Sequence, residues 1–164
     1  MKDKKSLIIC FSRADENYAV GFIEKGNTEI VAEYVRDITN ADMFKVEPLD
    51  PYSKDYQTCI EEAKERVGNA PIKESLNDIS NYEVIYIMSP IYWGTYAPEV
   101  ETAIKDLDFT GKTIRVITTH EGSGLGNVVS DVKRICTGAT VLDDALAIRG
   151  SSVKTAKSRV EEWV

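Results

Sequence analysis

The sequence predicts an α/β domain: a doubly wound, five-stranded parallel sheet with helices on both faces. Three observations predict it. Short apolar runs alternate five times with segments of helical periodicity. The two most apolar runs each stop abruptly at a serine that opens a loop. A chain of 164 residues suffices for one compact core of about 15 Å radius of gyration, and is too short for two independent cores of ordinary size. Strict alternation of strand and helix requires right-handed crossovers, which lay helices on both faces of a parallel sheet. Residues 1–164 are therefore expected to form a single domain.

Leu7-Ile8-Ile9-Cys10-Phe11 is a continuous apolar run, the pattern of a strand buried on both faces. From Thr28 to Thr39, Ile30, Val31, Tyr34, Val35 and Ile38 recur at helical spacing, with Glu29 early and Arg36 late as the helix dipole prefers. Phe44-Lys45-Val46-Glu47 alternates and is stopped by Pro48, which predicts an edge strand with one face exposed. Tyr56, Cys59, Ile60, Ala63 and Val67 mark a second helix. Tyr82 to Met88 is the second deeply apolar strand, ending at Ser89-Pro90. After an aromatic loop, Pro98 opens a helix striped by Val100, Ala103, Ile104 and Leu107 and closed by Gly111. Ile114 to Thr118 is a strand, and Val128, Val129, Val132, Ile135 and Cys136 form a helix face. Ala145 to Ile148 is the fifth strand, and Val153, Ala156, Val160 and Trp163 belong to a last helix. The more polar strands, two and five, fit the edges, and the apolar strands one and three fit the centre. That is the order 2-1-3-4-5, in which ligands bind beyond the carboxyl ends at the switch point between strands one and three.

Composition narrows the function classes. The chain is 43% hydrophobic and 29% charged, as in a packed globular protein rather than a disordered one. No apolar run approaches the roughly 18 residues needed to cross a bilayer, so no membrane partner and a cytoplasmic location are expected. A net charge of −7 repels a phosphate backbone and favours basic-faced partners, so nucleic acid is not expected as a ligand. Cys10, Cys59 and Cys136 include no C-x-x-C pair and each sits in an apolar pattern. They read as small buried hydrophobes in a reducing compartment, with no metal site.

Three loops lie at the carboxyl ends. The first runs from Ser12-Arg13 to Gly26-Asn27-Thr28 and is long for a βα connection. Gly21 and Gly26 stand at the spacing of a G-x-x-x-x-G-K-[ST] loop, yet Asn27 occupies the lysine's place. A triphosphate needs that lysine and a magnesium ion; a monophosphate can be held by hydroxyls, backbone N–H groups and a helix terminus. The alternative is a Gly-Asn turn with Thr28 merely capping the helix. In the second loop, Ser89 to Pro98, Tyr92, Trp93 and Tyr96 crowd a position that should face solvent. A flat ligand stacked on Trp93 or Tyr92 would cover that area, with Gly94 allowing close approach; the alternative is a loop packed on its own helix or on another subunit. The third loop, Thr118 to Gly126, carries three glycines and the chain's single histidine, His120. Its G-x-G-x-G spacing and late position do not fit a dinucleotide fingerprint, and no G-x-S-x-G elbow supplies a triad, so His120 reads as an ordinary loop histidine. Receiver-domain chemistry is excluded, because Ser12-Arg13 and Ser89-Pro90 stand where acidic residues would be required.

With these loops read, the chain resembles the flavodoxin family, specifically a branch with a lengthened phosphate loop. The likeness is carried by Phe11-Ser12-Arg13, Gly26-Asn27-Thr28-Glu29, Ser89-Pro90-Ile91-Tyr92-Trp93-Gly94 with Ala97-Pro98, and His120-Glu121-Gly122-Ser123-Gly124-Leu125-Gly126. The resemblance implies an FMN cofactor. It implies a phosphate held by Ser12, Asn27 and Thr28 beside Gly26, with Arg13 and Asn17 near it. The isoalloxazine would then lie between the second loop (Ser89, Pro90, Ile91, Tyr92, Trp93, Gly94) and the third (His120, Glu121, Gly122, Ser123, Gly124), where Glu121 to Gly124 would supply backbone N–H groups. The chain departs from a compact T-x-T-G-N-T loop by an insertion from about Ala14 to Lys25.

Three functions follow from that resemblance. The first is a one-electron carrier with no catalytic residues of its own, whose FMN potential is set by what surrounds the ring. A carboxylate about 10 Å away at an effective dielectric near 20 opposes an anionic ring by roughly 1.7 kcal/mol, on the order of 70 mV. Glu121, Glu99, Glu101, Asp106 and Asp108 are candidates for that effect, so a low potential is expected, with basic-faced redox partners and a monomer or weak dimer. The second is an FMN-dependent NAD(P)H:quinone or nitro reductase. The third is a flavin-free interaction domain.

Overall fold

The computed structural model describes residues 4–17 and 20–164, with Glu16 and Asn17 described by backbone alone. Strand β1 (Ser6–Cys10) is buried at every position, and β5 (Val84–Pro90) at all but its last. They pair in parallel, Ser6 opposite Val84 through Cys10 opposite Met88. Strand β4 (Asp42–Lys45) flanks β1, and β6 (Thr113–His120) flanks β5, again in parallel. Two short strands, β7 (Thr140–Val141) and β8 (Leu146–Arg149), both pair with the far side of β6. Counting only these parallel positions, the order is 2-1-3-4-5 as expected, with the fifth position divided between β7 and β8. The sequence reading found β8 and not β7, whose two residues are too few to show a period.

Side-chain alternation along the central strands builds two cores. Leu7, Ile9 and Phe11, with Ile85 and Ile87, pack against Val100 and Ile104 of α3 (Pro98–Ile104) and Val128 and Val132 of α4 (Val128–Ile135). Ile8, Cys10, Tyr86 and Met88 pack the other way, against Val31 and Val35 of α1 (Asn27–Thr39) and Val160 of α5 (Lys157–Trp163). Helix α2 (Tyr56–Glu65) opens at Asp55, whose carboxylate accepts the Thr58 amide at 2.9 Å.

Several boundaries differ from expectation for identifiable reasons. The edge strand lies two residues earlier than its alternation suggested, because the chain leaves the ladder after Val46, whose amide still donates to the Cys10 carbonyl at 2.8 Å. Helix α2 stops before Val67, which is 69% exposed, and Gly68 follows with φ +81°. The last helix is two pieces, a 3-10 helix (Gly150–Thr155) and α5. The insertion folds into a hairpin outside the main sheet, β2 (Asp15–Asn17) antiparallel to β3 (Gly21–Ile23). All three cysteines are buried and unbridged, and burial raises their thiols, that of Cys136 to about 12. Among the described residues no helix is long and apolar enough to cross a membrane.

Candidate functional site

At the carboxyl ends of β1, β5 and β6 the loops enclose a cavity of about 370 Å³. Its first wall is the start of α1. The helix's leading amides have no intrahelical acceptor; the Ser12 hydroxyl takes that of Glu29 at 3.0 Å, and Asn27 and Thr28 are among the residues that line the cavity. Gly26 makes this closure possible, since a Cβ there would stand 2.0 Å from Ser12 Oγ and 2.8 Å from the Arg13 carbonyl. The hydroxyls of Thr28 and Thr119 share a hydrogen bond of 2.7 Å, pinning the helix start to β6. Arg13 is 8% exposed and donates through Nη2 to the Ser53 and Lys54 carbonyls at 2.7 and 3.0 Å, so its cation forms wall rather than reaching across the cavity. Asn27 packs against Gly150, where an added Cβ would meet its Nδ2 at 2.3 Å.

The second loop is a two-residue turn. The Tyr92 amide donates to the Thr95 carbonyl at 2.8 Å, and between them Trp93 and Gly94 have φ of +53° and +85°, the signature of a type I′ turn. The expectation that all three aromatics face solvent fails for two of them. Tyr96 is buried, its hydroxyl donating to Glu101 at 2.8 Å. Tyr92 is half-buried in an edge-to-face cluster with Phe11 (5.8 Å) and Tyr52 (5.9 Å), and burial pushes its hydroxyl well above the ordinary tyrosine range. Trp93 is the exposed one, at 55%. Its Nε1 donates to the Ile60 carbonyl at 2.6 Å, which lays the indole along α2 with Lys64 over its ring at 5.2 Å. Ser89 does not line the cavity: its hydroxyl donates to the Pro90 carbonyl and accepts the Ala97 amide, tying the loop's two ends together.

The third loop closes on the second. The Asn127 amide donates to the Gly94 carbonyl at 2.7 Å, and Gly126 sits so close that a Cβ would lie 2.4 Å from that oxygen. Thr118 Oγ1 donates to the Gly124 carbonyl at 2.8 Å, and His120 Nδ1 accepts the Gly122 amide at 2.9 Å. Gly122 is therefore not the available donor that the sequence reading made it, and neither Gly122 nor Gly124 lines the cavity. Glu121 Oε1 accepts the Ser151 amide at 2.7 Å, anchoring the loop to the 3-10 helix.

A sequence profile of the flavodoxin family matches residues 18–164. The chain belongs to the flavodoxin family. Solved structures share the fold. A protein described as a flavoprotein from Bacteroides eggerthii is 20% identical over 98% of this chain and 95% of its own, with a TM-score of 0.72. A flavoprotein from Lactobacillus acidophilus solved in complex with FMN is 19% identical over 94% and 99%, with a TM-score of 0.60. Oxidised flavodoxin 2 from Bacillus cereus is 14% identical over 98% and 99%, with a TM-score of 0.53. No curated protein matches the chain significantly.

In this family member the cavity gathers Ser12, Arg13, Asn27, Thr28, Pro90, Ile91, Tyr92, Trp93, Gly94, His120, Glu121 and Ser123 from the residues expected at the site. Asn17's side chain and all of Tyr18 lie outside the described residues. Tyr56, Ile60 and Thr119 also line the cavity and were missed. Thr119 was within reach as the last residue but one of a strand entering the site. Tyr56 and Ile60 stand four apart on one helix face, a spacing that reads equally as core. Of the carboxylates expected to bear on the ring, Glu99 is no solvated surface group. It is fully buried, accepts the Tyr52 hydroxyl on both oxygens (2.5 and 3.0 Å), and burial raises its pKa above the ordinary range.

Proposed function

We propose that this chain is a low-potential one-electron carrier whose cofactor is FMN, bound in the 370 Å³ cavity. The observation that carries the reading is the pairing, in one cavity, of a helix start flanked by Ser12, Asn27 and Thr28 and a wall of exposed indole. Gly26 gives a direct test of fit, because the space its missing Cβ would fill is what lets Ser12 close over the amino end of α1.

Bound FMN would supply the redox chemistry, an isoalloxazine that accepts electrons singly or in pairs. The protein's part is to bind and tune. Ser12, Asn27 and Thr28 would hold the phosphate at the positive end of α1, and the absence of a lysine at position 27 suits a monophosphate. Trp93, Tyr56, Ile60 and Ile91 offer apolar surface for the ring. Glu121 places an acid on the wall, which opposes added negative charge and supports a low potential. The net charge of −7 supports basic-faced redox proteins as partners. A cytoplasmic location and a monomer or weak dimer complete the reading.

Titrating flavin-free protein with FMN should quench flavin fluorescence at one equivalent, and anaerobic reduction of the complex should proceed in two resolved one-electron steps. Absence of binding would favour the flavin-free interaction domain. Steady nicotinamide turnover with a quinone acceptor would favour the reductase.

A further inference from the structure

His120 is the last residue of β6, lies opposite Arg149 of β8, and lines the cofactor cavity. Its Nδ1 accepts the Gly122 amide at 2.9 Å. Only a neutral imidazole has an accepting nitrogen, so this bond assigns the resting ring as neutral with its proton on Nε2. Protonating Nδ1 would set two donors face to face, and the Gly122 amide would have to turn away. Gly122, at φ +133°, occupies backbone space that only glycine enters readily, and a Cβ placed there would meet nothing within 4 Å, so the turn has room to change.

We propose that His120 is the residue that takes up a proton when the bound flavin gains an electron, and that this protonation frees the Gly122 amide to face the reduced cofactor. The inference rests on the FMN reading above. The balance is simple. With an electron supplied to the bound flavin by a one-electron donor protein, a solvent hydronium ion gives its proton to Nδ1 and is left as water, a new N–H bond replaces the O–H bond broken, and within the protein only the His120–Gly122 hydrogen bond is lost. The charges facing the imidazole divide. Arg149 of β8 and Arg159 of α5 oppose its protonation, as does its own burial, while Glu121 of the same loop favours it. In sum these groups, burial foremost, hold the ring below the ordinary histidine range, which keeps it neutral until negative charge enters the cavity.

The single histidine makes the test direct. Ring resonances of His120 are followed by NMR against pH in flavin-free protein, in the oxidised FMN complex and after reduction with dithionite. Reduction should raise the midpoint by at least one pH unit, a tenfold gain in proton affinity. Between the two midpoints the potential should fall by about 59 mV per pH unit more than in His120→Gln, whose amide oxygen can accept from Gly122 but does not titrate. In the flavin-free protein the Gly122 amide should shift with the same midpoint as the ring. Identical His120 midpoints in the two redox states, or a Gly122 amide indifferent to the titration, would overturn the proposal even if FMN binds. Failure of FMN to bind at all would instead remove the reading beneath it. Should His120→Gln not fold, the wild-type titrations still decide.

Discussion

Gly26 is glycine for space and not for conformation. Its φ of −60° suits any residue, yet a methyl group there would overlap the Ser12 hydroxyl and the Arg13 carbonyl. Gly26→Ala must therefore move Ser12 off the Glu29 amide, removing the side-chain acceptor at the start of α1. Loss of such an acceptor costs helices about 1 kcal/mol, and the same displacement disturbs the proposed phosphate seat. The expected outcome is a modest drop in melting temperature with a disproportionate loss of FMN affinity, about tenfold or more by fluorescence titration, since each 1.4 kcal/mol is a factor of about ten. Equal FMN affinity in wild type and variant would show that the amino end of α1 does not hold the cofactor.

Among elements, the contact that shapes the site most is between the second and third loops. Trp93 sits at a positive φ that bulky residues adopt only when their surroundings impose it. Here the Asn127 amide holds the Gly94 carbonyl, and Thr95 Oγ1 donates to Asp131 of α4 at 2.6 Å. Gly126→Ala would drive a Cβ into the Gly94 carbonyl while its own backbone stays at φ +50°. The two effects together should cost about 2 kcal/mol or more, read as a shifted urea midpoint, with Trp93 fluorescence altered well before global unfolding. A variant as stable as wild type with unchanged indole emission would mean that the loops do not support one another. Legibility in the sequence follows the same division. Leu7 to Phe11, and Val84 to Met88 within the expected Tyr82 to Met88, announced central strands because burial on both faces leaves an unbroken apolar run. The hairpin did not, because Asp15–Asn17 and Gly21–Ile23 are too short to show alternation. Nor could the sequence separate Trp93 from Tyr96: the aromatics are three residues apart in one loop, and tertiary contacts distinguish them, the buried Tyr96 bonding Glu101 of α3 and the exposed Trp93 lying along α2. The cavity's α2 wall was hidden for a related reason, since Tyr56 and Ile60 reach the site through tertiary packing alone.

For the whole molecule, pH acts through carboxylates in opposite ways. Hydrogen bonds from Thr58, Ser80 and Thr110 hold Asp55, Asp78 and Asp108 below the ordinary aspartate range, so each stabilises the fold above that range and loses its effect as pH falls through the lowered value. Glu99 has the reverse sign. Burial raises its pKa, outweighing the Tyr52 hydroxyl and the nearby Arg66, both of which favour the charged form. Below the ordinary glutamate value of 4.5 the group is protonated in folded and unfolded chains alike. As pH climbs past that value the unfolded chain releases the proton first, so stability declines until the folded carboxyl ionises too. Its position makes this a property of the whole fold, because Glu99 on α3 reaches Tyr52 in the segment before α2, and Tyr52 in turn packs on Phe11 beyond β1 and on Tyr92 at the cavity. Glu99→Gln keeps an oxygen to accept from Tyr52 and cannot ionise. Urea melts at pH 5 and pH 8 should therefore show the variant gaining on wild type as pH rises, with the gap in unfolding free energy changing in its favour between the two conditions. A gap that stays constant, or moves the other way, would mean that Glu99 is held as a well-satisfied carboxylate and that its burial does not govern the acid–base response of the fold.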